Sequence, residues 1–191
     1  MEPWKTIREV ARESYRIFSV RREIAVSPLS GRNHEFVVIE APAWVNVIPI
    51  TPDGRVVFVR QYRHGTRSVT LEIPGGMADR DESPEAAGER ELLEETGYRG
   101  DRTLCIGRVH PNPAIQTNIC YTILIEGARR VAEPDPDPAE ELEVELIESS
   151  EIPRRILDGE IGHALVVAAF HHLALFQSIG GAARDERGAA R

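Results

Sequence analysis

The chain has 191 residues, 41% apolar and 28% charged, enough for one well-cored domain or a domain with a small companion. Acids outnumber bases 31 to 23, giving a formal net charge of −8. That balance argues against a general binder of nucleic-acid backbones and suits a protein that recruits cations.

The opening segment MEPWKTIREVARESYR is charged throughout and has no apolar centre for a secretion signal. Short alternating segments follow, YRIFSV, REIAVS and HEFVVIEA, with PLSGRN separating the last two as a hairpin loop. Residues 1–42 are therefore expected to form an N-terminal antiparallel β subdomain. So short a segment cannot bury a core alone and must pack on the main domain or on another subunit.

WVNVIPI and RVVFVRQYR then read as two strands joined by a tight turn at Pro52-Asp53-Gly54. TLEI predicts a short strand that Pro74-Gly75-Gly76 ends, and an acidic helix follows. Two apolar strands are expected around 103–109 and 119–126. The loop EPDPDPAEE precedes LEVELI, which alternates as a strand. A short helix is expected over 151–157, stopped by Asp158-Gly159, and a final helix over 162–179. The last is apolar nearly all round and is expected to be buried. Residues 181–191, small and charged, read as a frayed tail.

The longest apolar run, 164–176, is interrupted by His171 and His172 and falls short of the ~20 residues that span a bilayer. Cys105 and Cys120 lie in strand-like runs and read as small buried hydrophobes of a reducing compartment. His163, His171 and His172 lack metal-ligand spacing and read as structural. The expectation is a soluble, cytoplasmic α+β protein with a mixed sheet, without a membrane or nucleic-acid partner.

The acidic helix carries the strongest chemical signal. Ser83 is placed to cap it, Pro84 sits in its first turn, and Gly97 ends it. Glu82, Glu85, Glu89, Glu91, Glu94 and Glu95 crowd against one basic residue, Arg90. Like charges three or four positions apart cost about 0.2–0.5 kcal/mol per pair on an exposed helix. At about 100° per residue, Glu91, Glu94 and Glu95 share one face, a set of oxygens suited to a hard divalent cation. The Gly75-Gly76 turn beside it lets backbone approach without side-chain obstruction.

The spacing Gly76-x5-Glu82-x7-Arg90-Glu91-Leu92-x-Glu94-Glu95-x-Gly97-Tyr98 resembles the box of the Nudix hydrolases, departing only in the aromatic Tyr98. The resemblance implies a Nudix fold over about 43–180: a mixed β-sheet sandwiched between helices (α/β/α), with an extra N-terminal antiparallel β-sheet. It implies hydrolysis, with Mg2+ or Mn2+ as cofactor, of a nucleoside diphosphate linked to a further group. Gly75 (through its carbonyl), Glu91, Glu94 and Glu95 are then the implied metal ligands. Arg90 and Glu82 support them, with Glu94 and Arg90 also counted among the catalytic residues.

A diphosphate further needs a cation, and the attacking water needs a base. VRQYRHGT resembles the strand of ADP-ribose and nucleoside-diphosphate-sugar pyrophosphatases whose Q-x-R arginine meets the phosphates, which points to Arg63. Glu72 in LEIPGG resembles the same subgroup as a second substrate-binding residue. Pro113, fifteen residues past Tyr98, matches that subgroup's downstream proline. The acidic loop reads as a mobile, extended segment, and the resemblance of AEELEVELI to that subgroup's loop-to-strand segment implies Glu140 as the general base, with Glu141 one register step away. His64 and His110 flank these segments. The N-terminal strands resemble a sheet through which such enzymes form homodimers, often by exchange, with Trp4, Phe18 and Trp44 as aromatics for that interface or for stacking on a base. A nucleoside-triphosphate house-cleaning enzyme and a non-catalytic nucleotide sensor are the alternatives. The intact carboxylates argue against the sensor.

Overall fold

Apolar alternation builds the largest sheet of this protein, and charge pairs hold the first strand of a smaller one. The computed structural model describes residues 1–138 and 140–180, so the expected tail at 181–191 lies outside the described residues. They form two compact units: Met1–Ala43 with His110–Ile119, and Trp44–Val109 with the described residues from Cys120 onward.

In the first unit β1 (Lys5–Ser14), β2 (Ser19–Val26) and β3 (Asn33–Glu40) form an antiparallel sheet in that order. YRIFSV proves to be mainly a turn, closed by the Tyr15 N–H donating to the Phe18 carbonyl at 2.8 Å. The strand before it carries no apolar alternation to announce it, because most of its residues are exposed. Charge pairs hold it instead, among them Arg12 with Glu9 and with Glu40. The 110–119 segment ties to β3, with Ile39 donating to the Ile115 carbonyl at 2.7 Å and Thr117 donating to the Ile39 carbonyl at 3.0 Å.

The second unit is built on β4 (Trp44–Ile50), β5 (Arg55–Arg63), β6 (Ser68–Glu72), β7 (Gly75–Met77), β9 (Arg102–Val109), β10 (Cys120–Glu126) and β12 (Leu142–Glu148). The sheet order is β12-β5-β4-β10-β9, with β6 paired to β5 and β7 to β4. β10 runs parallel to β4 and the other pairs are antiparallel. A two-stranded ribbon joins β8 (Tyr98–Arg99) to β11 (Arg129–Arg130). The helices are α1 (Pro84–Thr96), α2 (Ile152–Leu157) and α3 (Ala164–Ser178).

Adjacent residues on β4 and β10 serve opposite cores, and residues two apart share one. Val45, Val47, Ile123 and Ile125 meet Ala87 and Leu92 of α1. Ile48 and Leu124 point the other way, to a cluster with Phe58, Ile152 of α2, and Val166 and Ala169 of α3. The mixed sheet is thus covered by helices on both faces, and each fully buried Val, Leu, Ile or Phe contributes about 1.5–3 kcal/mol.

Pro49 shapes the centre of this sheet. It has no N–H to donate, and β4 pairs with β5 only at Ile50↔Val56. Towards its start β4 pairs instead with β7, Asn46 opposite Gly75, and the Val47 N–H donates to the Pro74 carbonyl at 2.8 Å. β4 and β5 therefore part company beyond their hairpin, and the Pro74-Gly75 turn enters between them.

Two further expectations are corrected. α3 is not buried all round, because only one side meets the sheet: Val166 and Ala169 are enclosed while Leu175 is 50% exposed. Cys105 is exposed, whereas Cys120 is buried and its thiol is pushed up to about 12 by burial. No helix among the described residues is long and apolar enough to cross a membrane.

His172 fastens α3 to the sheet. Its ring lies over Gly107, where an added Cβ would stand 2.4 Å away, and its Nδ1 is 2.8 Å from Thr122 Oγ1. Burial, then the neighbouring His171, holds its pKa below the ordinary value. A depressed histidine stabilises the fold above its unfolded pKa of about 6.5, and that stability is lost as pH falls below it towards the folded value. Urea unfolding at about pH 7.5 and about pH 5.5 should show a smaller loss of stability in His172→Gln than in the parent. An equal loss in both would show that His172 does not set this dependence.

Candidate active site

α1 begins as its sequence requires. Ser83 Oγ accepts from the Ala86 N–H at 3.2 Å, and Pro84 takes a first-turn position where its missing N–H costs nothing. It ends at Gly97 in the left-handed region at φ 72°, with the Gly97 N–H donating to the Leu93 carbonyl. A Cβ on Gly97 would also stand 2.1 Å from the Ala132 carbonyl oxygen, so chain conformation and packing both demand glycine.

That close approach seats the acidic loop on the helix end. The Val131 and Ala132 N–H groups donate to the Gly97 carbonyl at 2.8 and 3.1 Å, and the Asp135 N–H donates to the Glu94 carbonyl at 2.8 Å. Carbonyls left without partners at a helix C-terminus are thereby satisfied. The expected mobile segment is thus anchored through its first half. Beyond the anchor, Glu140 donates its N–H to the Asp137 carbonyl at 2.8 Å.

Arg90 organises the carboxylates. Its Nε donates to Glu82 Oε1 at 3.0 Å and its Nη2 to Glu82 Oε2 and the Met77 carbonyl, both at 3.0 Å. Its Nη1 donates to Glu91 Oε1 at 2.9 Å and Glu94 Oε2 at 3.0 Å. Glu82 is held in turn by the Asp79 N–H at 2.9 Å. Arg90 is pushed above its ordinary pKa by these acids, Glu82 foremost.

Glu95 lies on the inner side of the helix, 3% exposed, and accepts from the Gly75 N–H at 3.0 Å. Burial, then the charge of Glu91, pushes its pKa well above the usual carboxylate range. Glu91 is also pushed up, by burial, with Glu94 and Glu140 adding repulsion against the opposing pull of Arg90. Glu140 contributes at both positions and also acts on Arg63, so its charge reaches all three.

These residues fit a hard divalent cation. A buried pair of repelling carboxylates is short of positive charge, and oxygen donors are what Mg2+ and Mn2+ prefer. Gly76 keeps the space open: a Cβ there would stand 2.4 Å from Glu91 Oε1. As the side chains stand, no three acidic, histidine or cysteine groups among the described residues already converge as ligands. Arg90 draws Glu91 and Glu94 to itself, and the Gly75 N–H holds Glu95.

Arg63, at the end of β5, makes a two-pronged pair with Glu72 at the end of β6. Its Nε donates to Oε1 at 2.9 Å and its Nη2 to Oε2 at 2.8 Å. Thr70 Oγ1 donates to Glu72 Oε1 at 2.7 Å. Glu72 is only 2% exposed, whereas the Arg63 side chain is 44% exposed. Burial alone would raise the Glu72 pKa, but Arg63 and Thr70 outweigh it and hold the carboxyl below its usual range. The pair fixes one edge of the guanidinium and leaves its Nη1 N–H groups for another acceptor.

The structure therefore brings Glu91, Glu140 and Arg63 within electrostatic reach of Glu95, with Gly75 against Glu95 and Glu72 behind Arg63. Glu94 is turned to Arg90 and its side chain is 45% exposed. Trp4, Phe18, His110 and Pro113 belong to the first unit, where Trp4 packs edge-on to His34 and Phe36. His64 packs edge-on to Tyr62. Thr70 went unnoticed in the sequence, although its i, i+2 spacing to Glu72 puts both on one face of a strand.

Acids gathered beside a pre-oriented arginine suit a hydrolase that handles a polyanion with the help of a divalent cation. Comparison with known proteins agrees. A family profile described as NUDIX domain matches residues 41–170, more than half of the chain. The chain belongs to the Nudix family. It is 26% identical over 151 residues to the ADP-ribose pyrophosphatase of Bacillus subtilis (strain 168), covering 78% of this chain and 82% of that protein. It is 37% identical over 121 residues to the ADP-sugar pyrophosphatase of Mus musculus, covering 59% of this chain and 56% of that one. A crystal structure of an ADP compounds hydrolase superposes with a TM-score of 0.82 at 19% identity, covering 95% of this chain and 98% of that chain. That likeness confirms the fold.

Proposed function

We propose that this enzyme hydrolyses the pyrophosphate of nucleoside-diphosphate sugars, ADP-ribose foremost, to a nucleoside monophosphate and a sugar phosphate. The observation that carries the reading is the Arg63–Glu72 pair, which holds a half-exposed guanidinium within electrostatic reach of the Glu95 and Glu140 carboxylates. The names of the bacterial and mouse relatives support the substrate class.

Glu91 and Glu95 would hold the cation, with Glu94 and the Gly75 carbonyl as further oxygens. A bound Mg2+ or Mn2+ neutralises diphosphate charge and lowers the pKa of a coordinated water. Arg90 restrains Glu91 and Glu94 so that their repulsion does not splay the site. Arg63 binds a phosphate oxygen through its free edge while Glu72 holds the other. Glu140 takes the proton of the attacking water as the new P–O bond forms and the bridging P–O bond breaks. Glu140, rather than Glu141, is favoured as the base because its charge is felt at Glu91, Glu95 and Arg63.

Residues 1–42 are read as the dimerisation element of a homodimer. Exposed Trp4, Ile7, Tyr15, Ile17 and Val37 in that segment support this reading. Sedimentation equilibrium should give twice the chain mass, and a monomer at micromolar concentration would refute the assignment.

Turnover on a panel of ADP-ribose, GDP-mannose, dinucleoside polyphosphates and plain triphosphates, each with Mg2+ and Mn2+, tests the substrate class. Equal or faster release from triphosphates would sink the sugar reading in favour of the house-cleaning one. Glu140→Gln should lower kcat by about 10²–10⁴-fold, the usual worth of a general base, and half-parental activity would remove Glu140 from that role. Adding Mg2+ should raise the Tm of the parent, with a smaller gain in Glu91→Gln and Glu95→Gln. An unchanged gain in both variants would place the cation elsewhere.

A further inference from the structure

His163 stands at the head of α3, a position where serine, threonine, aspartate or asparagine usually caps the helix. Its side chain makes no capping bond. Its backbone carbonyl accepts from the Val166 and Val167 N–H groups at 3.0 and 3.1 Å, so the main chain is fixed. The ring turns elsewhere. Nδ1 is buried without a hydrogen-bond partner among the described residues, and it lies 3.9 Å from Glu72 Oε2. A buried ring nitrogen in that state is uncommon enough to require an explanation.

The segment before it is built to deliver the ring. Glu160 is gripped by Arg60 Nη2 at 2.8 Å and Arg155 Nη1 at 3.2 Å. Ile161 is 1% exposed, and its N–H donates to the Arg155 carbonyl at 3.2 Å. Two successive residues are therefore pinned just before His163.

Glu72 supplies the other half. Its Oε1 accepts from both Arg63 and Thr70, whereas its Oε2 accepts from Arg63 alone. A carboxylate oxygen takes two donors comfortably. An anion bound to the free edge of Arg63 draws that cation outward and loosens its hold on Oε2. A carboxylate only 2% exposed has no water at hand to replace the lost bond.

We propose that His163 is a positioning residue of the anion clamp: its Nδ1–H closes onto Glu72 Oε2 as Arg63 engages phosphate, keeping the carboxylate satisfied and Arg63 in register. This rests on the reading of Arg63 as the phosphate-binding cation. His163 acts through Glu72 and Arg63 and touches no reacting atom.

The test measures Kd for an α,β-methylene analogue of ADP-ribose by calorimetry, together with KM and kcat for ADP-ribose. The proteins are the parent, His163→Leu, His163→Asn, His163→Gln, Arg63→Ala and the His163→Leu/Arg63→Ala double variant. Leucine should raise Kd and KM about tenfold, the worth of a hydrogen bond to a charged group, and leave kcat within about twofold. Asparagine places its amide where Nδ1 stands and should recover most of the affinity, whereas glutamine places its amide at Nε2 and should not. The double variant should bind no worse than Arg63→Ala alone. If leucine fails to fold, the asparagine–glutamine contrast decides, and parental Kd in both overturns the proposal. Parental Kd in His163→Leu beside a weakened Arg63→Ala overturns the histidine's role alone. Parental Kd in Arg63→Ala overturns the clamp and this inference together. A full additive loss in the double variant shows His163 acting independently of Arg63 and also overturns it.

Discussion

Everything in the site depends on the hold that Arg90 keeps on acids that would otherwise drive one another apart. All five of its N–H donors are engaged, by Glu82, Glu91, Glu94 and the Met77 carbonyl. Isolated ion pairs at a protein surface contribute about 0–1 kcal/mol, but a planar fork bonded on every edge also fixes orientation. Without it, Glu91 and Glu95 would relieve their repulsion by turning outward or by taking protons. The guanidinium sets the direction of Glu82, Glu91 and Glu94, while the Gly75 N–H holds Glu95.

The sheet supplies the frame for this arrangement. Because Pro49 cannot donate, β4 leaves β5 after one pairing, and the Pro74-Gly75 turn comes to lie against Glu95. The same divergence keeps Arg63 and Glu72 on their own antiparallel pair, β5 and β6, whose register places Val59 opposite Glu72 and Arg63 opposite Ser68. Two strand ends and one turn thus meet the helix, each positioned by main-chain hydrogen bonds rather than by side-chain choice.

Much of this was legible in the sequence, for local reasons. The box residues lie within one short stretch from Gly76 to Tyr98, and caps such as Ser83 and Gly97 act on their immediate neighbours, so a linear reading finds them. Apolar runs likewise announced β4, β5, β6, β9, β10 and β12, whereas the short β7, β8 and β11 had no such signal. The misses are non-local. β1 is held by charge pairs to residues far along the chain, such as Arg12 with Glu40, and has no apolar period. The exposed side of α3 depends on where the sheet ends, which composition does not encode. The pairing of Arg63 with Glu72 is a hairpin contact that the spacing permits but does not require.

The attachment of the acidic loop to Gly97 and Glu94 has a mechanical consequence. The helix that carries Glu91 and Glu95 also holds, through its last carbonyls, the segment leading to Glu140. Tilting or sliding of α1 against the sheet would carry both sets of groups along as one lever. Thermal breathing of the helix would then change the distance from the acids to the Arg63–Glu72 pair more than the distances among the acids themselves.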